Sequence, residues 1–327
     1  MRIFDARQFA LLPAALAMSL NVAYAQSGVD TYPTKPVRLI IPFPPGGSSD
    51  IIARQMGTQL SERLGKSIVI DNRSGAGGTL GSEMAARAVP DGHTLLFISS
   101  SYPVNAAIYK LPYDPIKAFA PVAMLGTGPT VLAVHPSVPA TTTKELIALA
   151  KAKPGQLKYT SSGVGGLQHF CSELFRSMAG IDVVHIPYKG GSQGMMDVIG
   201  GHAEMTIGSL IQMLPHVRSG KLRALGTGGL KRSVAMPEVP AIAETVPGYD
   251  ANNTWGILAP AGTPPAIIKR LNAEIIAVMA LPELKKRLSA EGAEPATVTT
   301  PEGFGKVVKD EIAKWTRVAR DANIKPE

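Results

Sequence analysis

Residues 37–64 read VRLIIPFPPGGSSDIIARQMGTQLSERL, and the order of these residues decides the fold. The β-branched and aliphatic run Val37 to Pro42 predicts a strand, and Asp50 to Leu64 predicts a helix. Ile52, Met56, Leu60 and Leu64 recur every four positions, which gives that helix one apolar stripe to lay on a sheet. Between them lies Pro42-Phe43-Pro44-Pro45-Gly46-Gly47-Ser48-Ser49-Asp50. Two glycines let the backbone turn sharply, and Ser48, Ser49 or Asp50 is placed to cap the helix. Such a helix start offers unpaired N–H groups and the positive end of a dipole, which suits a carboxylate or phosphate. An ordinary tight connection between strand and helix would use the same residues.

The alternation extends outward from this stretch. Ser67 to Asp71 and His93 to Ser99 predict strands, with a helix over Gly78 to Ala88 and a turn at Pro90-Asp91-Gly92. A second alternating block has strands near Val131 to Val134, Leu157 to Tyr159, Val183 to Ile186, Glu204 to Ile207 and Arg223 to Leu225. Its helices lie near Thr143 to Ala152, Leu167 to Met178, Gln193 to Ile199 and Ile211 to Arg218. Thr254 to Ala259 reads as a late strand and Pro264 to Met279 as a helix begun by proline. A last helix puts Phe304, Val308, Ile312, Trp315 and Ala319 on one face. These patterns predict an α/β chain of two lobes, each a doubly wound sheet with flanking helices. Residues 26–127 and 253–327 form one lobe and 128–252 the other, with hinges near Gly126 to Thr130 and Ala251 to Thr254. A length of 327 residues, 45% of them hydrophobic, is enough for two cores.

The second lobe repeats the loop chemistry. Tyr159-Thr160-Ser161-Ser162-Gly163-Val164-Gly165-Gly166 again follows a strand, and His169 lies one turn into the next helix. Ligands of open α/β sheets bind beyond the carboxyl ends of strands, so two permissive loops facing one cleft predict a binding site. A dinucleotide does not fit, because G-x-G-x-x-G would need glycine at Gln168 or at Leu80. Gly65-Lys66-Ser67 lacks the earlier P-loop glycine, since Leu60 stands there. Gly190-Gly191-Ser192-Gln193-Gly194 matches the nucleophile elbow G-x-S-x-G, so an exported serine hydrolase using Ser192 is the competing reading. Against it, only His202 and His216 follow Ser192, both too early for the usual order of such a triad. The six histidines fall at no helical ligand spacing, so neither a metal nor a cofactor is expected.

Charge and cysteine narrow the class further. The formal net charge is +8, but the 33 lysines and arginines are scattered and aromatic residues make up 6%, which argues against a nucleic-acid surface. Cys171 is the single cysteine and excludes an intramolecular disulfide. Arg2 and Arg7, the apolar run Phe9 to Leu20 and Ala23-Tyr24-Ala25 form a cleavable export signal over residues 1–25, with the mature chain expected from Gln26 and a charge of +7. The run is short of the ~20 residues that span a bilayer, and Pro13 interrupts it. No cysteine follows it to carry a lipid, so a free periplasmic monomer is expected.

Taken together, PFPPGGSSD (42–50), NRSGAGG (72–78), PDGHTLL (90–96), YTSSGVGG (159–166), HIPYKGG (185–191) and WG with APAGTP (255–264) resemble the substrate-binding receptors of tripartite tricarboxylate transporters, the Bug family. The resemblance runs from Tyr32 to the final helix. It implies a two-lobed, type II-like periplasmic binding fold of the Venus flytrap kind that closes on a small carboxylate and catalyses nothing. It also implies a membrane permease as partner, or a sensory role. Carried onto this chain, it assigns Phe43, Pro45, Gly46, Gly47, Ser48, Ser49 and Asp50 to one lobe's site. Ser161, Ser162, Gly163, Gly165 and His169 serve the other. Ser99, Ser100, Ser101, Tyr188, Lys189 and Ser209 are the candidates for sensing the distal part of the ligand. Many relatives carry aspartate where this chain has Gly208, a place that can meet an amino group. The resemblance therefore implies a ligand without one, an organic, dicarboxylic or aromatic acid.

Overall fold

The alternation read from residues 37–98 forms one parallel unit. In the computed structural model, which describes residues 31–321 and residue 324, β1 (Val37–Ile41) leads through α1 (Ser48–Leu64), β2 (Ile68–Asn72) and α2 (Thr79–Ala86) to β3 (Thr94–Ile98). The export segment expected over residues 1–25 lies outside the described residues. β1 lies between β2 and β3, parallel to both. Its side chains alternate between faces, so Val37, Leu39 and Ile41 enter one apolar cluster and Ile40 enters another. Ile52, Met56, Leu60 and Leu64 of α1 all pack into the first, as their spacing predicts. The helix ends at Gly65, whose φ of 68° is the left-handed conformation that closes helices.

The chain continues through α3 (Ser101–Ile108), β4 (Phe119–Val134) and α4 (Thr143–Ala152) into a second unit of the same order. There β5 (Lys158–Ser161), α5 (Leu167–Ala179), β6 (Val184–Pro187), α6 (Gly191–Ile199) and β7 (Met205–Ser209) place β5 between β6 and β7, again in parallel. α7 (Leu210–Arg218) and β8 (Arg223–Thr227) complete this lobe. β9 (Asn252–Pro260), α8 (Pro265–Met279), α9 (Pro282–Ala290), β10 (Glu294–Pro295) and α10 (Pro301–Asp321) follow. The principal strand order is β2-β1-β3-β9-β4-β7-β5-β6, with β8 and β10 also paired to β4.

Two doubly wound halves are thus joined by an antiparallel ribbon of β4 and β9. β4 pairs with β9 from Phe119↔Pro260 to Pro129↔Asn252, then with β7 and β8 from Thr130 and Val131 onward. The sequence predicts only the end of β4, because Pro121, Gly126, Gly128 and Pro129 read as strand breakers. The ribbon absorbs them with register shifts at Pro121/Ala123 and Met124/Gly126. A Cβ on Gly126 would lie 2.3 Å from the Glu294 carbonyl, so the close approach of β10 requires glycine there. α3 and α9 were not separable in the sequence, being short and carrying proline in the first turn or just after it.

α10 reaches across both halves. Phe304 enters the apolar cluster of Ile40, Leu96 and Leu258, while Trp315 enters that of Tyr159, Phe170 and Phe175. Trp315 is fully buried edge-on to Phe170, with ring centroids 5.9 Å apart, and its Nε1–H donates to Glu311 at 2.9 Å. Trp315→Ala is expected to lower unfolding free energy by about 3–5 kcal/mol, read from urea unfolding of the purified protein.

Candidate ligand-binding cleft

The loops after β1, β3, β5, β6 and β7 converge on one cleft. Phe43, Pro44, Gly47, Ser48 and Ser49 form the wall after β1, and Ser99 and Ser101 the wall after β3. Ser162, Leu167 and Gln168 face them from the loop after β5. Gly191 and Ser192 come from the start of α6, Ser209 and Gln212 from the start of α7, and Asn253 from the crossing strand β9. The parallel halves bring these together because each has its central strand's carboxyl end at the cleft.

Helices α1, α3, α5, α6 and α7 all begin at this cleft, with Gly47, Ser100, Gly166, Gly190 and Ser209 as their N-cap residues, and none has a side-chain cap hydrogen bond. The expected capping by Ser48, Ser49 or Asp50 therefore does not occur: the helix starts one residue earlier, at an extended glycine. First-turn N–H groups have no partner within their own helix, so the cleft gathers donors and the positive ends of several dipoles. Among the described residues, no lysine, arginine, histidine, aspartate or glutamate lines it.

Asp50 stands behind the wall and shapes it. Its carboxylate accepts hydrogen bonds from the Gly46 N–H at 3.0 Å, Arg54 Nε at 2.9 Å and Asn72 Nδ2 at 3.1 Å. Asn72 Nδ2 also donates to the Phe43 carbonyl at 2.9 Å, so one carboxylate and one amide fix both ends of the loop. Burial alone would raise the Asp50 carboxyl, but these hydrogen bonds and the Arg54 charge outweigh it and hold it below the usual carboxylate range. Gly46 has φ +79°, a left-handed turn that brings its N–H onto Asp50. Pro45 and Gly46 form the outer bend of the loop and do not line the cleft.

The second loop is buttressed differently. Ser161 Oγ accepts the Gly163 N–H at 3.1 Å and lies 2.6 Å from His185 Nε2. His185 stacks between Tyr159 and His169, at 4.8 Å and 4.3 Å between ring centroids, and the Gly165 N–H points to His169 Nδ1 at 3.5 Å. Ser161, Gly163, Gly165 and His169 thus support the wall from behind, while Ser162 and the unexpected Gln168 form it. Burial and the neighbouring His169 push His185 down to about 4, against the opposing pull of Glu173. Ser99 and Ser101 reach the cleft, whereas the Ser100 N–H donates to Asn253 Oδ1 at 3.1 Å and its Oγ accepts the Thr254 N–H at 2.8 Å. Tyr188 turns its hydroxyl to Asp197, and Lys189 is exposed, so neither lines the cleft. Pro44, Leu167, Gln168, Gln212 and Asn253 were missed in the sequence; the uncapped helix starts were the available signal for the glutamines.

The two walls touch. Ser101 Oγ accepts the Leu167 N–H at 3.0 Å. A Cβ on Gly77 would lie 2.6 Å from the Val164 carbonyl, and one on Gly190 would lie 2.4 Å from the Pro44 ring.

A neutral, half-buried His185 has a folded value below its unfolded one, so the unfolded chain binds more protons between them and stability falls as pH drops from ~6.5 toward 4. Urea unfolding across that window is expected to show this slope, and His185→Phe, which keeps a stacking ring without titrating, is expected to reduce it.

A family model described as tripartite tricarboxylate transporter family receptor matches residues 52–324. Protein BugT of Bordetella pertussis is 36% identical over 305 residues, covering 92% of this chain and 93% of that protein. Among solved structures, R. palustris Rpa4515 with adipate superposes with a TM-score of 0.88 at 35% identity, covering 90% of this chain and all of the other. MatC from Rhodopseudomonas palustris with bound malate gives 0.84 at 28% identity, covering 88% and 99%.

Proposed function

The chain belongs to the tripartite tricarboxylate transporter receptor family, and we propose that it captures one small carboxylic acid in the cleft between its lobes and closes around it. The observation that carries this reading is the convergence of helix N-termini without side-chain caps from both lobes on a cleft that no charged side chain lines among the described residues. Such a site stabilises an anion through backbone donors and dipoles. Phe43, Pro44 and Leu167 give the cleft an apolar waist, which suits the carbon skeleton of an aliphatic or aromatic acid. An ammonium group would be buried here with no carboxylate to pair it, so amino acids are disfavoured. The adipate and malate of the related structures fit the same description and support a dicarboxylate or comparable organic acid for this chain.

Closure is the working step. A ligand that touches both walls binds the closed form better and shifts the population toward it. We place the lobe boundaries at 127/128 and 252/253, where β4 and β9 run side by side and the partners of β4 change. The receptor works in the periplasm as an exported monomer without a cofactor, and hands its cargo to a tripartite tricarboxylate-type permease or signals its presence. It has no catalytic role. Ser192 does line the cleft, but His202 lies 3.7 Å from Asp197 and His216 sits in the last turn of α7, whose first turn is the one at the cleft.

A thermal-shift screen of mono-, di- and tricarboxylates, aromatic acids and acidic amino acids tests this reading. A ligand at 100 times its Kd adds about 2.7 kcal/mol, which raises Tm by roughly 5–10 °C. A saturable shift by a carboxylate that lacks an amino group is expected, while selective binding of aspartate or glutamate, or Ser192-dependent ester hydrolysis, would count against it. Gly190→Ala gives a second check. Its φ of 172° suits any residue, so the methyl group obstructs only the approach of Pro44. Isothermal titration is expected to find weaker ligand binding with an unchanged Tm for the empty protein.

A further inference from the structure

The inner wall of the cleft carries polar atoms that the fold leaves without partners. Gln168 Oε1, Gln212 Nε2 and Ser209 Oγ are each enclosed and make no hydrogen bond among the described residues. Their residues are 8%, 7% and 5% exposed, and all three line the cleft. Buried polar groups are nearly always satisfied, so three unsatisfied ones on one wall point to a ligand group that completes them.

The seat of Gln168 is made by two glycines. A Cβ on Gly191 would lie 2.5 Å from Gln168 Oε1, and one on Gly208 would lie 2.6 Å from its Nε2. The carboxamide is therefore held at a place that any larger residue at 191 or 208 would claim. Gly208 is not itself part of the cleft wall, so it acts through Gln168 and is a positioning residue. The wall as a whole presents an acceptor at Gln168, a donor at Gln212 and a hydroxyl, which does both, at Ser209. With the amides oriented as they stand, the wall therefore presents both signs. A carboxylate only accepts and an ammonium only donates. A hydroxyl does both from one atom, so it meets this wall without leaving a member unpaired.

We propose that Gln168, seated between Gly191 and Gly208 and acting with Gln212 and Ser209, is the specificity-determining residue of the cleft and reads a hydroxyl group on the ligand acid. This rests on the carboxylate-receptor reading above and adds to it a class of cargo, the hydroxylated carboxylic acids.

Isothermal titration with matched pairs tests it: malate against succinate, lactate against propionate, and 4-hydroxybenzoate against benzoate. The native protein is expected to bind the hydroxylated member of at least one pair about ten-fold or more tightly. Gln168→Met keeps the length of the side chain without its hydrogen-bonding atoms, and is expected to erase that preference by weakening the hydroxylated acid about ten-fold more than its unsubstituted partner. Gly208→Ala, whose methyl group meets only the flexible ends of Gln168 and Met213, is expected to erase it too. The proposal is overturned if no pair is discriminated, or if the preference survives in both variants. Binding of none of the acids would instead overturn the carboxylate reading, and this inference with it.

Discussion

The antiparallel pairing of β4 with β9 is the constraint on which the rest of the molecule depends. Each half is a parallel unit with its own core, and neither contains the whole site. The ribbon fixes where the two sets of strand ends face each other. Where the partners of β4 change, the local sequence answers with small residues: a Cβ on Gly128 would meet the Trp255 ring at 2.7 Å and the Gly292 carbonyl at 2.8 Å. The same crossing supplies Asn253 to the cleft, and its amide oxygen takes the Ser100 N–H at the start of α3. The joining ribbon and the cleft therefore share Asn253, which ties the ribbon to the wall after β3.

The two loops that face each other are held by different physics. The loop after β1 is braced by a carboxylate, Asp50, whose charge is paired with Arg54 and spent on a backbone N–H. The loop after β5 is braced by neutral rings stacked beneath it and by a serine hydroxyl. Both arrangements aim backbone donors into the cleft and keep ionised side chains out of it. Asp50 and His169 brace the loops without lining the cleft themselves.

Much of this was legible in the sequence. The stripe from Ile52 to Leu64, the strand Val37 to Ile41 and the glycine-rich turns after β1 and β5 read correctly because periodicity and turn chemistry are local. β4 did not, since its prolines and glycines belong to bulges whose cause is the approach of β10 and of the Trp255 ring, both distant in the chain. At the cleft, loop residues such as Ser48 and Ser162 were legible from their place after a strand. Gln168 and Gln212 were not, because a glutamine in the first turn of a helix looks like a solvated side chain until another lobe is brought over it. The same blindness put His169 at the wall: its position one turn into α5 is right, but the helix presents its neighbour instead.

A receptor has to be stable empty as well as loaded, and the composition of the cleft follows from that demand. A buried arginine would hold a carboxylate strongly, yet in an empty closed cleft it would be an unpaired charge out of water, a state that costs several kcal/mol. Helix N-termini carry about half a charge each and are fixed by the fold, so they attract an anion while leaving less to neutralise when it departs. Neutral amides and hydroxyls add direction without adding charge. The close approaches of Pro44 to Gly190 and of Val164 to Gly77 bring the halves together through backbone and a small ring, surfaces that need no hydrogen-bonding partner. In the proposed mechanism selectivity and release therefore rest on separate parts of the molecule, the first on the inner wall and the second on these glycines.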